Sequence, residues 1–279
     1  MSATAGPYRR LGFVSAVADF AENRVVDGVY AVLKKEKLRT RGGATYLALE
    51  LADSTGRISG RVWSDVDLLD ARFAEGDAVH VLGRVEKFRD RLQLEVRALE
   101  PSEADPATLA PSLRRDAEEL EGFLAFLVSE IHDAALRDLV TRVLADAPLR
   151  AFPATPDGHH SYAGGLLEHT VGVATICHEL TQLHPRLRAE LLLAAALVHD
   201  IGRTRELGPP PAFRPTEEGR LLGHVHLGLR LLEAAGAPAE LLHAVASHHD
   251  ARAARTAEAA VLYHANQLDA VAATRPVPG

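Results

Sequence analysis

The spacing of apolar residues changes near residue 100, and this change restricts the chain to folds with two different parts. Before it, apolar and polar residues alternate in short runs, which is typical of β-strands. From about residue 115, apolar residues recur every three or four positions, which is typical of amphipathic helices. The segment between them, PSEADPATLAPSLR, contains three prolines. The sequence therefore predicts a β domain at 8–100, a linker at 101–114 and an all-α domain at 115–275.

Five strands and one short helix are predicted in the β domain. The helix, within SDVDLLDARFAEGD, follows a serine or aspartate that can cap it and separates the third strand from the fourth. Five strands with a helix at this position are the layout of an OB-fold barrel, and a generic small β-barrel is the alternative. The predicted fold class is thus multidomain α and β, an OB-fold barrel followed by an all-α domain. The predicted strands cover residues 29–35, 45–51, 57–63, 78–88 and 91–99.

Charged residues and histidines are unevenly distributed along the chain. Residues 1–100 contain 16 Lys/Arg and 15 Asp/Glu, including all four lysines. The remaining residues contain 15 Lys/Arg, 23 Asp/Glu and 13 of the 14 histidines. This distribution predicts different tasks for the two parts. It argues against a globally basic nucleic-acid binder but leaves room for a local basic surface on the β domain.

Three features of the sequence bear on the compartment. The longest apolar runs are well short of the ~20 residues that span a bilayer, so no membrane partner is expected. The N-terminal MSATAGPYRRLGF lacks the apolar segment of a secretory signal. The single cysteine, Cys177, fits a reducing environment and is interpreted as a core residue. We therefore expect a cytoplasmic protein.

Polar residues that can bind metal interrupt the apolar stripes of the helical part. Each alone is more simply a hydrogen-bonded core residue, but an unpaired buried carboxylate costs several kcal/mol. A divalent cation would satisfy the whole set, because imidazoles and carboxylates suit Mn, Fe, Zn and similar ions. Six ligands suit two octahedral ions that share a bridging carboxylate, with Asp200 as the bridge. The candidate ligands are His169, His199, Asp200, His224, His248 and Asp269.

The order of these residues resembles that of the HD-domain metal-dependent phosphohydrolase superfamily, which is named after the doublet His199-Asp200. The flanking text HHSYAGGLLEHT, LVHDIGRTREL, EEGRLLGHV, ASHHD and NQLDA strengthens the resemblance. With an OB-like barrel in front, residues 10–275 resemble the YhaM-type 3′-5′ exoribonucleases. The resemblance implies a metal-activated water that degrades single-stranded RNA, with single-stranded DNA as a second substrate, to nucleoside 5′-monophosphates. It also implies a homo-oligomer and two divalent ions, with Mn²⁺ favoured over Fe²⁺, Co²⁺, Ni²⁺, Mg²⁺ or Zn²⁺.

The resemblance also suggests catalytic roles for Asp200, Arg203 and His160. Arg203 stands where the family often has lysine; arginine keeps the charge and offers a fork for phosphate, but it cannot act as a general acid. His160, with its neighbour His159, would position the phosphate or protonate the leaving oxygen, and a surface loop role is the alternative. His248 is favoured over His249 as the ligand because of its helical face, which leaves His249 to support the site or contact substrate.

Single-strand binding is assigned to aromatics and cations of the barrel, since OB folds stack bases on aromatics in a cationic groove. Each aromatic is equally well explained as a core residue, and KKEKLRTRGG is most simply a solvated loop between the first two strands. The candidates are Lys34, Lys37, Arg39, Arg41, Tyr46, Trp63, Lys87, Phe88, Arg89 and Arg91.

Three other functions compete with the exonuclease. An HD phosphohydrolase of small nucleotides would use the barrel for assembly, and its substrate affinity would be insensitive to salt. A cyclic-dinucleotide phosphodiesterase of the HD-GYP kind fits poorly, because no GYP text follows His248-His249. A single-strand binder with an inactive helical domain is opposed by the complete set of six candidate ligands.

Overall fold

The computed structural model describes residues 15–113 and 115–274, so the predicted domain ends at 8–14 and 275 lie outside the described residues. The chain divides into two compact units between Pro111 and Ser112. The first unit is a closed five-stranded barrel with the strand order β1-β2-β3-β5-β4. Its strands are β1 (Val25–Arg39), β2 (Thr45–Asp53), β3 (Gly56–Val62), β4 (Ala78–Phe88) and β5 (Arg91–Ser102).

The pairing of the strands closes the barrel in the OB arrangement and confirms the predicted fold. β1 pairs antiparallel with β2 and with β4, and the parallel pair of β3 with β5 completes the ring. A short helix, α1 (Val66–Asp70), lies between β3 and β4, where the sequence predicts it. Alternation along β2 buries Leu47, Leu49 and Leu51 inside the barrel, each at most 3% exposed. The residues that alternate with these leucines therefore face away from the barrel interior.

Two segments of the first unit are more ordered than the sequence suggests. β1 continues to Arg39, so most of KKEKLRTRGG belongs to a strand, because its backbone pairs with β2 as far as Thr45. Within the predicted linker, β5 extends to Ser102 and a short helix, α2 (Pro106–Leu109), follows. Leu109 packs against the barrel, which explains why this proline-rich segment is not extended.

The second unit is helical and surrounds a buried central helix, α6. Every residue from Leu191 to Val198 is buried, in agreement with the unbroken apolar run in the sequence. In the described chain, no helix combines the length and apolar character that crossing a membrane requires. The helices are α3 (Ala117–Ser129), α4 (Ala134–Ala145), α5 (Gly165–Leu183), α6 (Ala189–Val198), α7 (Arg203–Glu206), α8 (Glu217–Ala234), α9 (Ala239–Ser247) and α10 (Ala257–Thr274).

Helix α8 is interrupted where the sequence predicts a continuous apolar stripe. Gly223 has φ 70° and ψ 163°, a region that only glycine occupies readily, so the helix stops at Leu222 and restarts at His224. Leu221 lies three positions before His224, the spacing of residues that share a helical face, but it is 69% exposed. The interruption changes the direction of the side chains and separates these two residues.

Candidate metal centre and nucleic-acid interface

The His199-Asp200 doublet lies at the end of α6, and both side chains are buried. His199 directly follows the last residue of the helix, and its Nε2 lies 3.8 Å from Oδ2 of Asp200. The buried apolar helix therefore fixes two adjacent polar residues at one point of the core. This position allows both side chains to face one cluster.

Histidines from three other segments meet Asp200. Two sets of possible ligand atoms, each within 4.8 Å of one another, share this aspartate. One set contains His169 and His199; the other contains His224, His248 and His249. His169 comes from α5, His224 from the restarted half of α8, and the last two follow α9. Five of the six candidate ligands are thus gathered directly around Asp200 or are Asp200 itself.

Hydrogen bonds to acceptors fix which nitrogen of three histidines faces the cluster. Nδ1 of His199 lies 2.8 Å from the Ala196 carbonyl, and Nδ1 of His248 lies 2.6 Å from the Val245 carbonyl. A carbonyl can only accept, so each Nδ1 donates and each Nε2 of the neutral ring carries a lone pair. Nδ1 of His169 likewise lies 2.6 Å from the carboxylate of Asp269.

The Nε2 lone pairs of these rings lie close to other hydrogen-bond acceptors rather than to donors. Nε2 of His169 and Nε2 of His199 are 3.2 Å apart, and both are acceptors by the preceding argument. Among the described residues, Nε2 of His248 and Oδ1 of Asp200 are buried atoms without a hydrogen-bond partner, 3.5 Å apart. Buried acceptors that face one another are costly unless a cation lies among them. The donor set therefore fits a divalent metal.

The electrostatics of the site keep its ligands in the forms that bind metal. Burial lowers the pKa of His199 to about 3, so its ring is neutral at physiological pH. Burial alone would raise the pKa of Asp200, but the guanidinium of Arg203, 3.7 Å from Oδ2, helps to hold it well below its usual range. A neutral imidazole and an ionised carboxylate are the ligand forms that divalent ions require.

Asp269 does not contact Asp200 but reaches the cluster through His169. Its Oδ2 contacts His169 and lies 3.0 Å from Nε2 of His160. Nδ1 of His160 meets the Tyr162 hydroxyl at 2.9 Å, which in turn donates to Glu168 at 2.6 Å. Burial opposes a charge on His160, but Asp269 and Glu168 raise its pKa to about 9. Both nitrogens of this ring therefore have partners, which favours holding Asp269 over direct proton transfer.

Tyr46 of β2 and Trp63, which directly follows β3, form an aromatic platform. Their rings stack with centroids 4.8 Å apart and an interplanar angle of 28°. Trp63 is 48% exposed, and the guanidinium of Arg61 lies 5.8 Å from the centre of the Tyr46 ring. Exposed stacked rings beside a cation are suited to nucleotide bases. Tyr46 is half-buried, and neither ring belongs to the core of the barrel.

The cations predicted to bind nucleic acid fall into distinct environments. Lys37 pairs with Asp67 and Asp70 on α1, which neutralises its charge, and Lys34 pairs with the neighbouring Glu36. Arg39 and Arg41 are exposed at the β1–β2 turn.

The remaining candidates surround the β4–β5 turn at Arg89-Asp90. Both of these turn residues have positive φ, as a tight two-residue hairpin requires. Phe88 is 56% exposed beneath the guanidinium of Arg89, and Lys87 pairs with Asp90. Arg91, at the start of β5, lies opposite Phe88 in the pairing of the two strands. The β1–β2 and β4–β5 turns are the loops that border the binding face of OB folds.

Comparison with known proteins assigns both units. The sequence model of the HD domain matches residues 166–271, and that of the tRNA_anti-codon family, an OB-fold nucleic acid binding domain, matches residues 31–102. The 3′-5′ exoribonuclease YhaM of Shouchella clausii is 31% identical over 245 residues, which cover 80% of this chain and 75% of that protein. This chain belongs to the YhaM family.

A second relative agrees with this assignment. YhaM of Bacillus subtilis is 27% identical over 266 residues, covering 88% of this chain and 84% of that protein. The second OB-fold domain of replication protein A from Methanococcus maripaludis has 24% identity and a TM-score of 0.26, covering 32% of this chain and 93% of that chain. This TM-score is low, so the OB assignment of the YhaM-family barrel stands on its strand order and on the family match.

Residues outside the predicted ligand set also reach the YhaM-family centre. His249 lies in the same set of possible ligands as His248, with its Nε2 2.8 Å from Nε2 of His224. Glu206 contacts both Arg203 and His224, and Glu168 accepts a hydrogen bond from the Tyr162 hydroxyl. The text TREL in the predicted motif contains Glu206, three positions after Arg203, and this helical spacing was the available signal.

Proposed function

We propose that this chain is a metal-dependent 3′-5′ exoribonuclease that degrades single-stranded RNA, and secondarily single-stranded DNA, to nucleoside 5′-monophosphates. One observation carries the chemistry: hydrogen bonds fix the Nε2 lone pairs of His169, His199 and His248 toward a common buried carboxylate, Asp200. Family membership supports the polymer substrate, because the relatives named above are 3′-5′ exoribonucleases.

The six predicted ligands would hold two ions that share Asp200, since the two sets of possible ligand atoms overlap at this residue. Asp269 would complete the set on the His169 side, and His249 is added to the His224 side. Mn²⁺ is the favoured ion, with Fe²⁺, Co²⁺, Ni²⁺, Mg²⁺ and Zn²⁺ as alternatives. The bound ions would supply a water nucleophile at neutral pH and neutralise charge on the phosphate.

The protein's own groups would orient the substrate. Among the described atoms, Nε of Arg203 is buried without a hydrogen-bond partner and lies 3.7 Å from Asp200, so this N–H is free to bind a phosphate oxygen. His160, held between Asp269 and Tyr162, adds positive charge at the opposite side of His169. Arg203 cannot protonate a leaving oxygen at neutral pH, so this chain needs another proton donor.

The barrel would bind the strand upstream of the cut. Tyr46 and Trp63 would stack bases, while Arg39, Arg41 and the cations at the β4–β5 turn would contact the backbone. The cation contacts predict that affinity for an oligonucleotide falls as salt rises. The proposal also includes the division into a barrel at 8–100 and a helical domain at 115–275. It further includes homo-oligomerisation and a cytoplasmic location.

The decisive experiment follows a 5′-labelled single-stranded RNA incubated with the protein and Mn²⁺. We expect a ladder of products that shorten stepwise from the 3′ end, together with nucleoside 5′-monophosphates. Asp200→Ala should abolish shortening, because the buried carboxylate shared by both ligand sets is lost. Asp200→Asn keeps the shape of the side chain and should be similarly inactive.

Asp138→Ala, which removes an exposed acid on α4, serves as the matched control and should retain full activity. Hydrolysis of free nucleotides without any shortening of the RNA would replace the proposal with the small-nucleotide phosphohydrolase. Full activity of both Asp200 variants would remove the metal centre from the mechanism.

A further inference from the structure

The restarted half of α8 begins at His224, and its first backbone N–H needs an acceptor from elsewhere. The first N–H groups of a helix have no acceptor within the helix, and the interruption at Gly223 creates such an end in the interior of α8. Oε1 of Glu206 lies 3.2 Å from the backbone nitrogen of His224 and accepts this hydrogen bond. A carboxylate is also the favoured charge at a helix N-terminus.

The same carboxylate holds the guanidinium of Arg203. Nη1 of Arg203 donates to Oε2 of Glu206 at 2.7 Å, so the two oxygens of one side chain serve two different site residues. The side chains of Glu206, Arg203 and His224 are 14%, 10% and 12% exposed. Little water is therefore present to replace either contact, which strengthens both of them.

The backbone around Glu206 is fixed as well. Its carbonyl accepts from the Thr216 nitrogen at 2.8 Å, and a β-carbon on Gly219 would lie 2.1 Å from the same carbonyl. A β-carbon on Gly202 would lie 1.9 Å from the carbonyl of His224. α7 and both halves of α8 are thus in close backbone contact. This contact fixes the direction in which the Glu206 side chain extends.

These contacts determine what the two site residues present to the centre. With its backbone held by Glu206, His224 directs Nε2 toward Oδ1 of Asp200 at 3.2 Å, while its Nδ1 lies 3.6 Å from Glu206. Since Nη1 of Arg203 is occupied by Glu206, the Nε–H of the same guanidinium remains directed toward the centre. One carboxylate therefore sets the position of a metal ligand and of a phosphate contact together.

We propose that Glu206 is the positioning residue that holds His224 and Arg203 in register at the metal centre. This inference rests on the proposed function for its effect on RNA, but its effect on metal binding is independent of the substrate. Carboxylates that orient a ligating histidine typically contribute 10- to 100-fold to metal affinity.

The test compares Glu206→Ala and Glu206→Gln with Glu218→Gln in the full chain. Glu218 is an exposed glutamate in the first half of α8 that pairs with Arg230, so it controls for the loss of a helical ion pair. Mn²⁺ affinity is measured by calorimetry, and kcat and KM are measured on a single-stranded RNA. Thermal unfolding in chelator reports whether each variant folds.

We expect Glu206→Ala to weaken Mn²⁺ binding by about 10- to 100-fold. Glu206→Gln keeps an acceptor oxygen for the His224 nitrogen but loses the charge that pairs with Arg203. It should therefore recover most of the Mn²⁺ affinity while its KM for RNA stays raised, and Glu218→Gln should behave as wild type. Wild-type Mn²⁺ affinity and wild-type KM in Glu206→Gln would overturn the proposal, even if Glu206→Ala fails to fold.

Failure of the proposed function would look different. If the wild-type protein does not shorten RNA, but Glu206→Ala still binds Mn²⁺ more weakly and Glu206→Gln restores this binding, the positioning role stands and the exonuclease does not. If RNA is shortened and the two Glu206 variants match Glu218→Gln in Mn²⁺ affinity and KM, the exonuclease stands and the positioning role is wrong.

Discussion

His199 shows how burial of a single ring prepares a ligand. Its Nδ1 is committed to the Ala196 carbonyl, and burial lowers its pKa to about 3. The pKa of His249, another histidine of the centre, is lowered to about 3 as well, again mainly by burial. A folded protein with these histidines resists protonation across the range in which a free imidazole, with its pKa near 6.5, takes up a proton.

This difference predicts acid sensitivity of the metal-free protein. Between pH 6.5 and about 3 the unfolded chain protonates His199 but the folded chain does not, so the unfolded state binds more protons and the free energy of unfolding falls as pH falls. One such histidine contributes on the order of 1 to 2 kcal/mol between pH 7 and pH 5. Urea unfolding in chelator at the two pH values measures it.

The matched variants are His199→Gln and His132→Gln, since His132 is exposed. His199→Gln should show a smaller loss of stability between pH 7 and pH 5 than the wild type, whereas His132→Gln should show the same loss. An equal loss in all three proteins would mean that His199 is protonated in the folded state.

At this scale the sequence predicted the members of the centre better than their arrangement. The doublet after LLLAAALV could be interpreted because an apolar helix of that length must be buried and its end fixed. That Asp269 reaches the centre through His169 and His160 was not predictable, because side-chain rotamers and hydrogen-bond partners leave no trace in the spacing. The involvement of His249 depends on the turn after α9 for the same reason.

Helix α8 shows what periodicity fails to detect at the scale of an element. The pattern across GRLLGHVHLGLRLL fits a continuous helix, and an isolated glycine within such a pattern is usually tolerated. The structure instead uses Gly223 to interrupt the helix, which redirects His224 toward Asp200. Similarly, the charges of Lys34–Arg39 suggested a loop, but pairing with β2 extended the strand.

The interruption predicts a specific cost for Gly223→Ala. No atom lies within 4 Å of an added β-carbon, so the cost comes from the backbone angles alone, about 1 to 3 kcal/mol of unfolding free energy. If the helix straightens instead, His224 leaves the centre. The first route should lower only the free energy of unfolding, measured with urea, whereas the second should also lower Mn²⁺ affinity, measured by calorimetry.

Gly122→Ala is the matched control, since this glycine lies within α3 and its added β-carbon also meets nothing within 4 Å. It should leave metal binding unchanged and stabilise the protein slightly, as alanine does in a regular helix. If Gly223→Ala behaves in the same way, α8 does not require its interruption for metal binding.

At the scale of the whole molecule, the two units show different chemistry and predict separable effects on the reaction. The candidate ligands all lie in the helical unit. The stacked Tyr46 and Trp63 belong to the barrel and offer rings to bases. Loss of the rings should therefore affect only substrates long enough to reach both the platform and the metal centre.

The double variant Tyr46→Ala/Trp63→Ala tests this separation. Stacking is worth about 1 to 3 kcal/mol per base, so losing it should raise KM for a long single-stranded RNA by about 5- to 150-fold. The kcat for the long RNA and the turnover of a dinucleotide should remain at wild-type values, because the metal centre is unchanged. Steady-state kinetics on the two substrates provides the measurement.

Phe123→Ala controls for the removal of an exposed aromatic ring, because Phe123 is 45% exposed on α3 of the helical unit. It should leave both substrates unaffected. A double variant with unchanged KM on the long RNA would show that the strand is held elsewhere, and equal losses on the long RNA and the dinucleotide would mean that the platform stabilises the fold. A rise in KM for the long RNA alone requires that the barrel binds the strand while the helical unit performs the hydrolysis.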